Sequence, residues 1–365
     1  MWGDIAVAFL LAFITAYVIT PYTIRFAKKI GALDMPKESR KIHKKPMPRL
    51  GGLAIIIGFT ISVIYLLSVM SIEKTITLFG SDQYLIKLLG LFGGTLVLCL
   101  FCFFDDWKGI NPFVKLLGQI IAAIIVTLCD IRINRISLPF FNTFFTEEVI
   151  SIIITIIWIV GITNAINLID GLDGLSSGVS LISCLSLLII FALNGSPLIS
   201  ILLVTALGGA ILGFLPYNFN PARTFLGDTG SNFLGFALSI ISILGVAKTY
   251  TAIVIVAPLF VFALPLLDTC LAIFRRIIKT KSLKGVFKAD KEHLHHKIMK
   301  HGYTQKQAVL ILYGISATFG MFAIILLDSG IWKALSFAFM VIAIVAIGYK
   351  DIFKTGESLD EIKKD

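Results

Sequence analysis

Acidic residues stand at the ends of apolar runs in this chain. Asp105 and Asp106 are adjacent and directly follow the apolar run 85–104. Neighbouring carboxylates repel each other, and the C-terminal end of a helix is an unfavourable place for negative charge. A cation must therefore offset them, and Mg²⁺, which binds carboxylates together with phosphate oxygens, meets this need. A solvated loop with Lys108 as the counter-ion is the alternative.

A second polar cluster repeats with a spacing of three residues. Asn164, Asn167, Asp170 and Asp173 interrupt an otherwise apolar stretch, and residues at this spacing are neighbours on one face of a helix. Amides and carboxylates together suit the sugar and base edges of a nucleotide. An Asp-Gly turn between two helices is the alternative.

A third cluster, 227–231, has the sequence Gly-Asp-Thr-Gly-Ser and precedes another apolar run. Glycines and hydroxyls at a helix start leave backbone N–H groups free, which favours a phosphate there. Asp228 would repel that phosphate unless a metal ion bridges the two. The alternative is simple capping of the helix by Thr229 or Ser231.

Two further segments are basic. His293, His295 and His296 lack the ligand spacing of a zinc site, so we interpret them as donors to a pyrophosphate or nucleotide, or else as part of a solvated loop. The segment 43–52, which contains Arg49, leads directly into an apolar run. It binds phosphate or anchors the chain to lipid headgroups.

Hydropathy places these clusters in a membrane protein. Of 365 residues, 57% are hydrophobic and 15% are charged, and the mean hydropathy is +0.93. About eleven apolar runs are each long enough to cross the ~30 Å hydrocarbon core of a bilayer as a helix. We therefore expect an all-α, polytopic integral membrane protein that forms a single domain over residues 1–365.

The charge pattern predicts the orientation. The net charge of +10 is concentrated in the stretches 28–49 and 275–306, which anionic lipids and phosphate-bearing substrates explain better than nucleic acid. The positive-inside rule places both stretches in the cytoplasm, with the N-terminus outside and the C-terminus inside. The five connections that then become cytoplasmic are 28–52, 105–112, 163–174, 216–231 and 275–307. The loop 130–148 is expected to form a short external hairpin.

Taken together, the clusters resemble a known family. The motifs that carry the resemblance, in chain order, are Pro48-Arg49-Leu50-Gly51-Gly52, Asp105-Asp106, Asn164-x-x-Asn167-x-x-Asp170-Gly-x-Asp173-Gly, Asn220-Pro-Ala-x-x-Phe-Leu-Gly-Asp228-Thr-Gly-Ser and His293-x-His295-His296. They are similar to those of the bacterial polyprenyl-phosphate N-acetylhexosamine-1-phosphate transferases of glycosyltransferase family 4. That family also contains phospho-N-acetylmuramoyl-pentapeptide transferase.

The resemblance implies an activity. In it, the phosphate of undecaprenyl phosphate attacks the β-phosphorus of a UDP-sugar and UMP leaves, with Mg²⁺, or Mn²⁺ in its place, as the cofactor. The resemblance also implies a multi-pass protein of the bacterial inner membrane with its active site facing the cytoplasm.

The resemblance assigns roles to particular residues as well. Asp105, Asp106 and Asp228 would be the catalytic and metal-binding residues. The residues that would bind the substrate are Asn164, Asn167, Asp170, Asp173, His293, His295, His296, Arg49 and Lys108.

Two departures from the pentapeptide transferases concern the substrate. Those enzymes usually carry a lysine where this chain has Gly109, and Thr-Met where it has Arg49-Leu50. Both departures favour UDP-N-acetylglucosamine as the donor, in an enzyme that starts wall teichoic acid, O-antigen or a related polymer. Pentapeptide transfer and, from another class of protein, membrane transport are the alternatives. The sequence leaves the oligomeric state open, with a homodimer among the options.

Overall fold

The chain is almost wholly helical wherever its structure is described. The structure is a computed structural model that describes residues 2–36, 45–73, 84–136, 144–145, 147–246, 252–280 and 293–344. The helices are α1 Trp2–Ile30, α2 Gly52–Ile72, α3 Tyr84–Lys108, α4 Pro112–Leu128, α5 Glu148–Leu168, α6 Leu175–Leu193, α7 Leu198–Asn218, α8 Gly227–Val246, α9 Ala252–Val261, α10 Ala263–Thr280, α11 Leu294–Lys300, α12 Gln305–Ser329 and α13 Ile331–Ile344. The all-α prediction is confirmed. Parts of two predicted cytoplasmic loops, 37–44 and 281–292, and the C-terminal residues 345–365 lie outside the described residues.

Among the described residues, seven helices are long and apolar enough to cross a membrane, and they are α1, α2, α3, α5, α6, α7 and α12. Each of the eleven predicted apolar runs overlaps a described helix, but not every run meets this criterion. α4 has 17 residues, and the run 252–274 is divided at Phe262 into α9 and α10. The chain is therefore a multi-pass membrane protein, whereas the count of eleven spans and their orientation stay predictions.

Local capping determines where two of the helices begin. Pro112 occupies the first position of α4, and the Asn111 side chain accepts a hydrogen bond of 2.9 Å from the N–H of Phe113. Both residues suit a helix N-terminus. The N–H that proline lacks would have no partner within the helix at this position, and the asparagine side chain accepts a hydrogen bond from a backbone N–H. Thr304 forms a capping box at the start of α12. The start of α4 places Lys115 in its first turn.

Helix packing gathers the helix ends that carry the polar clusters. α7 is buried along nearly its whole length and packs against α1, α2 and α6. α4 and α8 each pack against both α3 and α5. The last turns of α3 and α5 consequently meet the first turns of α4 and α8.

Two short antiparallel hairpins complete the described fold. β1 (Leu33–Asp34) pairs with β2 (Met47–Pro48), and β3 (Arg135–Ile136) pairs with β4 (Phe144–Phe145). The second confirms the hairpin predicted in the loop 130–148. The first was not predicted, because the segment 28–52 lacks the alternation of apolar and polar residues that Ile131, Ile133 and Ile136 give to the second.

Candidate active site

The basic motif that ends at Gly52 is joined by backbone hydrogen bonds to the segment before α8. Phe225 N–H donates to Pro48 O (2.8 Å), Gly51 N–H donates to Phe225 O (3.1 Å), and Gly52 N–H donates to Leu226 O (2.9 Å). The contact continues into α8, where a Cβ added to Gly52 would lie 2.1 Å from the Cα of Gly230. Glycine is therefore needed at this close approach.

The carboxylate of Asp106 binds the first turn of α8. Asp106 is 3% exposed; its Oδ1 accepts the N–H of Asp228 (2.8 Å), and its Oδ2 accepts both the N–H (2.8 Å) and the Oγ1 hydroxyl (2.7 Å) of Thr229. An anion is stabilised at the positive end of a helix. The N–H groups of Asp228 and Thr229 are therefore occupied by Asp106. The interpretation that they are free to bind a phosphate is wrong.

Lys115 supplies the cation that the paired aspartates require. Its Nζ lies 3.2 Å from Asp105 Oδ2, forms a closer ion pair with Asp228 Oδ1, and lies 3.4 Å from Asn167 Oδ1. The side chains of Lys115 and Asp105 are each only 15% exposed, so water screens this pair weakly. Sequence reasoning missed Lys115, although it is the only charged residue in the apolar run 113–129, and an ionisable residue in such a run often marks a functional site.

The two asparagines of the second cluster have different partners. The Nδ2 of Asn167 donates to Asp228 Oδ1 (2.8 Å) and to Ser231 Oγ (2.7 Å). Asn164 lies one turn away and donates instead to Gln119 Oε1 at 2.7 Å. Asn167 thus belongs to the charged site, whereas Asn164 belongs to a neighbouring group of amides.

The two aspartates of the second cluster also differ. Asp173 Oδ2 accepts hydrogen bonds from Asn220 Nδ2 (3.0 Å) and from the N–H of Ala222 (3.1 Å), which joins the α5–α6 loop to the segment before α8. Within the described part of the chain, no group donates to the carboxylate of Asp170. Burial raises the pKa of Asp170 well above its usual range, and the negative charge of Asp228 raises it further.

The histidine cluster reaches the same loop. A Cβ added to Gly171 would lie 2.5 Å from His295 Nε2, and burial lowers the pKa of His295 to about 3, helped by its neighbour His296. His293 Nδ1 lies 2.8 Å from Asp268 Oδ2, whose other oxygen accepts the N–H of Leu294 at 2.9 Å. Because burial lowers its pKa, His295 is neutral at pH 7.

Of the remaining two predicted residues, Arg49 lies close enough to Asp228 for its charge to act on that carboxylate, whereas Lys108 lies outside the Lys115 ion pairs. Arg49 forms an ion pair with Asp34, across the hairpin of β1 and β2. Lys108 is exposed, and its Nζ lies 4.3 Å from the ring centroid of Trp107. The alternative in which Lys108 is the counter-ion of the aspartate pair is wrong, because Lys115 occupies that position.

Comparison with known proteins supplies the family. A family model described as glycosyl transferase family 4 matches residues 88–246. The probable undecaprenyl-phosphate N-acetylglucosaminyl 1-phosphate transferase of Bacillus subtilis (strain 168) is 39% identical, over 94% of this chain and 90% of its own length. The chain belongs to glycosyl transferase family 4.

Two other relatives are similar to this chain over most of its length. The decaprenyl-phosphate N-acetylglucosaminephosphotransferase of Mycolicibacterium smegmatis is 31% identical over 94% of this chain and 87% of its own. The phospho-N-acetylmuramoyl-pentapeptide-transferase of Halalkalibacterium halodurans is 29% identical over 87% of this chain and 95% of its own. The resemblance predicted from the five motifs is confirmed.

The oxygen atoms around the Lys115 ammonium of the transferase suit a hard divalent cation. Asp105, Asp228 and Asn167 each direct a side-chain oxygen to it, and carboxylate and amide oxygens are ligands that Mg²⁺ accepts. Asp106 instead has both oxygens on α8. Across the described ranges, no group of three or more His, Cys, Asp or Glu side chains is arranged to hold a metal ion. Of the three predicted carboxylate ligands, Asp105 and Asp228 direct an oxygen to this point and Asp106 does not, and metal binding itself stays a prediction.

Proposed function

We propose that this transferase moves N-acetylglucosamine 1-phosphate from UDP-N-acetylglucosamine to undecaprenyl phosphate. The products are UMP and a lipid-linked sugar diphosphate that starts a cell-envelope polymer. The names of the Bacillus and Mycolicibacterium relatives support the sugar and the polyprenyl acceptor. The observation that carries the proposal is the ammonium of Lys115 held between Asp105 and Asp228, a compact charged centre suited to bound phosphates.

The chemistry requires little covalent help from the protein. A phosphate monoester has a second pKa of about 6, so the acceptor phosphate is largely dianionic at neutral pH and needs no general base. One of its oxygens forms a bond to the β-phosphorus. The bond from this phosphorus to the oxygen that bridges it to the α-phosphorus breaks, and UMP leaves with that oxygen. Alignment and charge neutralisation then account for the catalysis.

The chain's own residues divide this work. Lys115 offsets negative charge where the phosphates meet, and Asp106 holds the first turn of α8 so that Asp228 stays beside Lys115. Asp105 and Asp228, with Asn167, would hold Mg²⁺ or Mn²⁺. When bound, the ion neutralises the charge of the diphosphate.

The donor would bind on the side of the α5–α6 loop. Asp170 lies close enough to Asp228 to have its pKa raised by it, and its carboxyl is available to a ligand. The neutral His295 contacts this loop at Gly171 and would line the same side of the donor site. We assign the site to the cytoplasmic face of the inner membrane, because the donor is a soluble nucleotide and the acceptor stays in the bilayer.

A donor-specificity assay tests the proposal. Purified transferase is given undecaprenyl phosphate with either UDP-N-acetylglucosamine or UDP-N-acetylmuramoyl-pentapeptide, and UMP release is measured. We expect release with the first donor only. Release with the pentapeptide donor alone would establish the alternative within the family. Flux of a sugar nucleotide across vesicles without UMP release would establish a transporter.

A further inference from the structure

A group of amide side chains lies directly beneath the charged site. We call Gln119 on α4, Asn164 on α5 and Asn232 on α8 the amide layer. Gln119 and Asn164 exchange two hydrogen bonds, of 2.7 and 3.3 Å, and Gln119 Nε2 also donates to Asn232 Oδ1 at 2.7 Å. Gln119 is 2% exposed and Asn232 0% exposed. Three helices are thus joined at one depth, by two side chains that are almost fully buried and by Asn164, which is partly buried.

Each residue of the amide layer lies one helical turn from a residue of the charged site. Gln119 follows Lys115 by four positions on α4, and Asn232 follows Asp228 by four positions on α8. Asn164 precedes Asn167 by three positions on α5. Residues three or four positions apart lie on the same face of a helix, so in each of the three pairs the amide and the residue of the charged site face the same way.

The direction of the helices turns this spacing into a common depth. α4 and α8 begin at the charged site, whereas α5 ends there. All three amides therefore lie deeper than the charged site, by about 4.5 to 6 Å at a rise of ~1.5 Å per residue. The result is two stacked layers, with Lys115, Asn167 and Asp228 above.

The two layers differ in how well they define helix positions. The lysine side chain has four rotatable bonds and reaches its partners over a range of helix positions. Planar amides that exchange two hydrogen bonds fix both the depth and the rotation of their helices, because both bonds are lost when one helix slides or turns. Asn232 Nδ2 also donates to the carbonyl oxygen of Asp228, one turn back on α8, at 2.7 Å, which orients the Asn232 amide.

We propose that Gln119, Asn164 and Asn232 are positioning residues that hold α4, α5 and α8 in the register at which the charged site forms. This reassigns Asn164, which the sequence placed among the substrate-binding residues. The inference rests on the proposed function only in that turnover is one of its two readouts.

The first experiment compares two apolar substitutions on α4. Gln119→Met removes the amide at similar volume. Thr127→Val is the matched control, because Thr127 is buried on the same helix but bonds only carbonyls of its own helix, at 3.1 and 2.8 Å. We expect Gln119→Met to lower kcat by about tenfold to a hundredfold, as misplacement by ~1 Å does, with KM for UDP-N-acetylglucosamine changed by less than about threefold. Thr127→Val should keep kcat within about twofold.

The second experiment reads the charged site without using activity. Lysine side chains are acetylated with a trace of acetic anhydride, and the rate at Lys115 is measured by peptide mass spectrometry relative to exposed Lys108 in the same chain. We expect Gln119→Met to raise the relative rate at Lys115 several-fold, because the ion pairs with Asp105 and Asp228 loosen. Thr127→Val should leave the relative rate unchanged.

The outcomes separate this inference from the proposed function. Wild-type kcat and wild-type Lys115 labelling in Gln119→Met would overturn the amide layer as a positioning device. An equal loss in Thr127→Val would reduce it to ordinary packing. If the wild-type chain releases no UMP, the proposed function fails, and Lys115 labelling still decides the inference. Should Gln119→Met not fold, Gln119→Glu, which keeps the volume and loses the donor to both Asn164 and Asn232, takes its place in both experiments.

Discussion

Asp106 and Thr229, which are 123 residues apart in the chain, share two hydrogen bonds to one oxygen atom. Oδ2 of Asp106 accepts the backbone N–H of Thr229 at 2.8 Å and its hydroxyl at 2.7 Å. The end of α3 is thereby joined to the start of α8. A carboxylate that sequence reasoning assigned to metal binding thus has a structural contact that positions its neighbour Asp228.

This contact predicts that Asp106→Asn lowers stability as well as activity. An amide that replaces the carboxylate directs at most one oxygen to three donors, and each buried donor left unsatisfied costs about 1–3 kcal/mol. We expect a lower thermal midpoint in detergent and UMP release reduced by about a hundredfold or more. Thr229→Val removes one donor only and should cost about 1 kcal/mol. Wild-type midpoint and turnover in Asp106→Asn would contradict the assignment.

Two lysines provide a matched pair of substitutions. Lys115→Met removes the cation between Asp105 and Asp228, so we expect kcat to fall by about a hundredfold or more. Lys108→Met removes a cation that lies over the Trp107 ring, outside those ion pairs, and kcat should stay within a few-fold. UMP release by each purified variant measures the difference. Equal losses in the two variants would show that Lys115 has no special position.

Removal of divalent cations tests the metal ligands. Chelation should stop UMP release and added Mg²⁺ should restore it, with Mn²⁺ as a substitute. In Asp228→Asn or Asp105→Asn, the Mg²⁺ concentration for half-maximal rate should rise by about tenfold or more, because one charged ligand is lost. Asp130→Asn is the control, since Asp130 pairs with Lys87 beyond the opposite end of α4. An unchanged Mg²⁺ requirement in both site variants would remove these residues as ligands.

The pKa of His295 predicts how stability depends on pH. Burial lowers this pKa to about 3, while the pKa of a histidine in the unfolded chain is about 6.5. Between these values the unfolded chain binds more protons, so the free energy of unfolding falls as pH decreases, by up to about 1.4 kcal/mol per pH unit. The contribution of His295 is complete above pH ~6.5. His295→Gln should flatten the decline of the thermal midpoint between pH 7 and pH 5, and an identical decline in the variant would refute this.

The sequence predicted which segments meet, but not all of their contacts. The segments around Arg49, Asp106, Asn167, Asp228 and His295 come together in the structure, as the one-sided topology required. Their meeting follows from apolar run lengths and charge distribution, which act over short stretches of chain and can be read along it.

The spacing of Asn164 and Asn167 illustrates what cannot be read in this way. Both belong to one motif and both were predicted to bind the substrate. Their partners are on different turns of α4, because a side chain three residues deeper along α5 faces Gln119 rather than Lys115. The depth and rotation of a helix relative to its neighbours depend on how the helices pack. They cannot be predicted from a single sequence motif.

The sequence by itself determined the helices, the family and the clustering of polar residues at helix ends, since hydropathy and motif order are local properties of the chain. Only the tertiary structure decided that Lys115 meets Asp228, from which it is 113 residues distant, and that Asp106 binds α8 instead of sharing a cation with its neighbour Asp105. The physical reason is that hydrogen bonds and ion pairs form over about 3 Å, a distance that the packing of several helices sets.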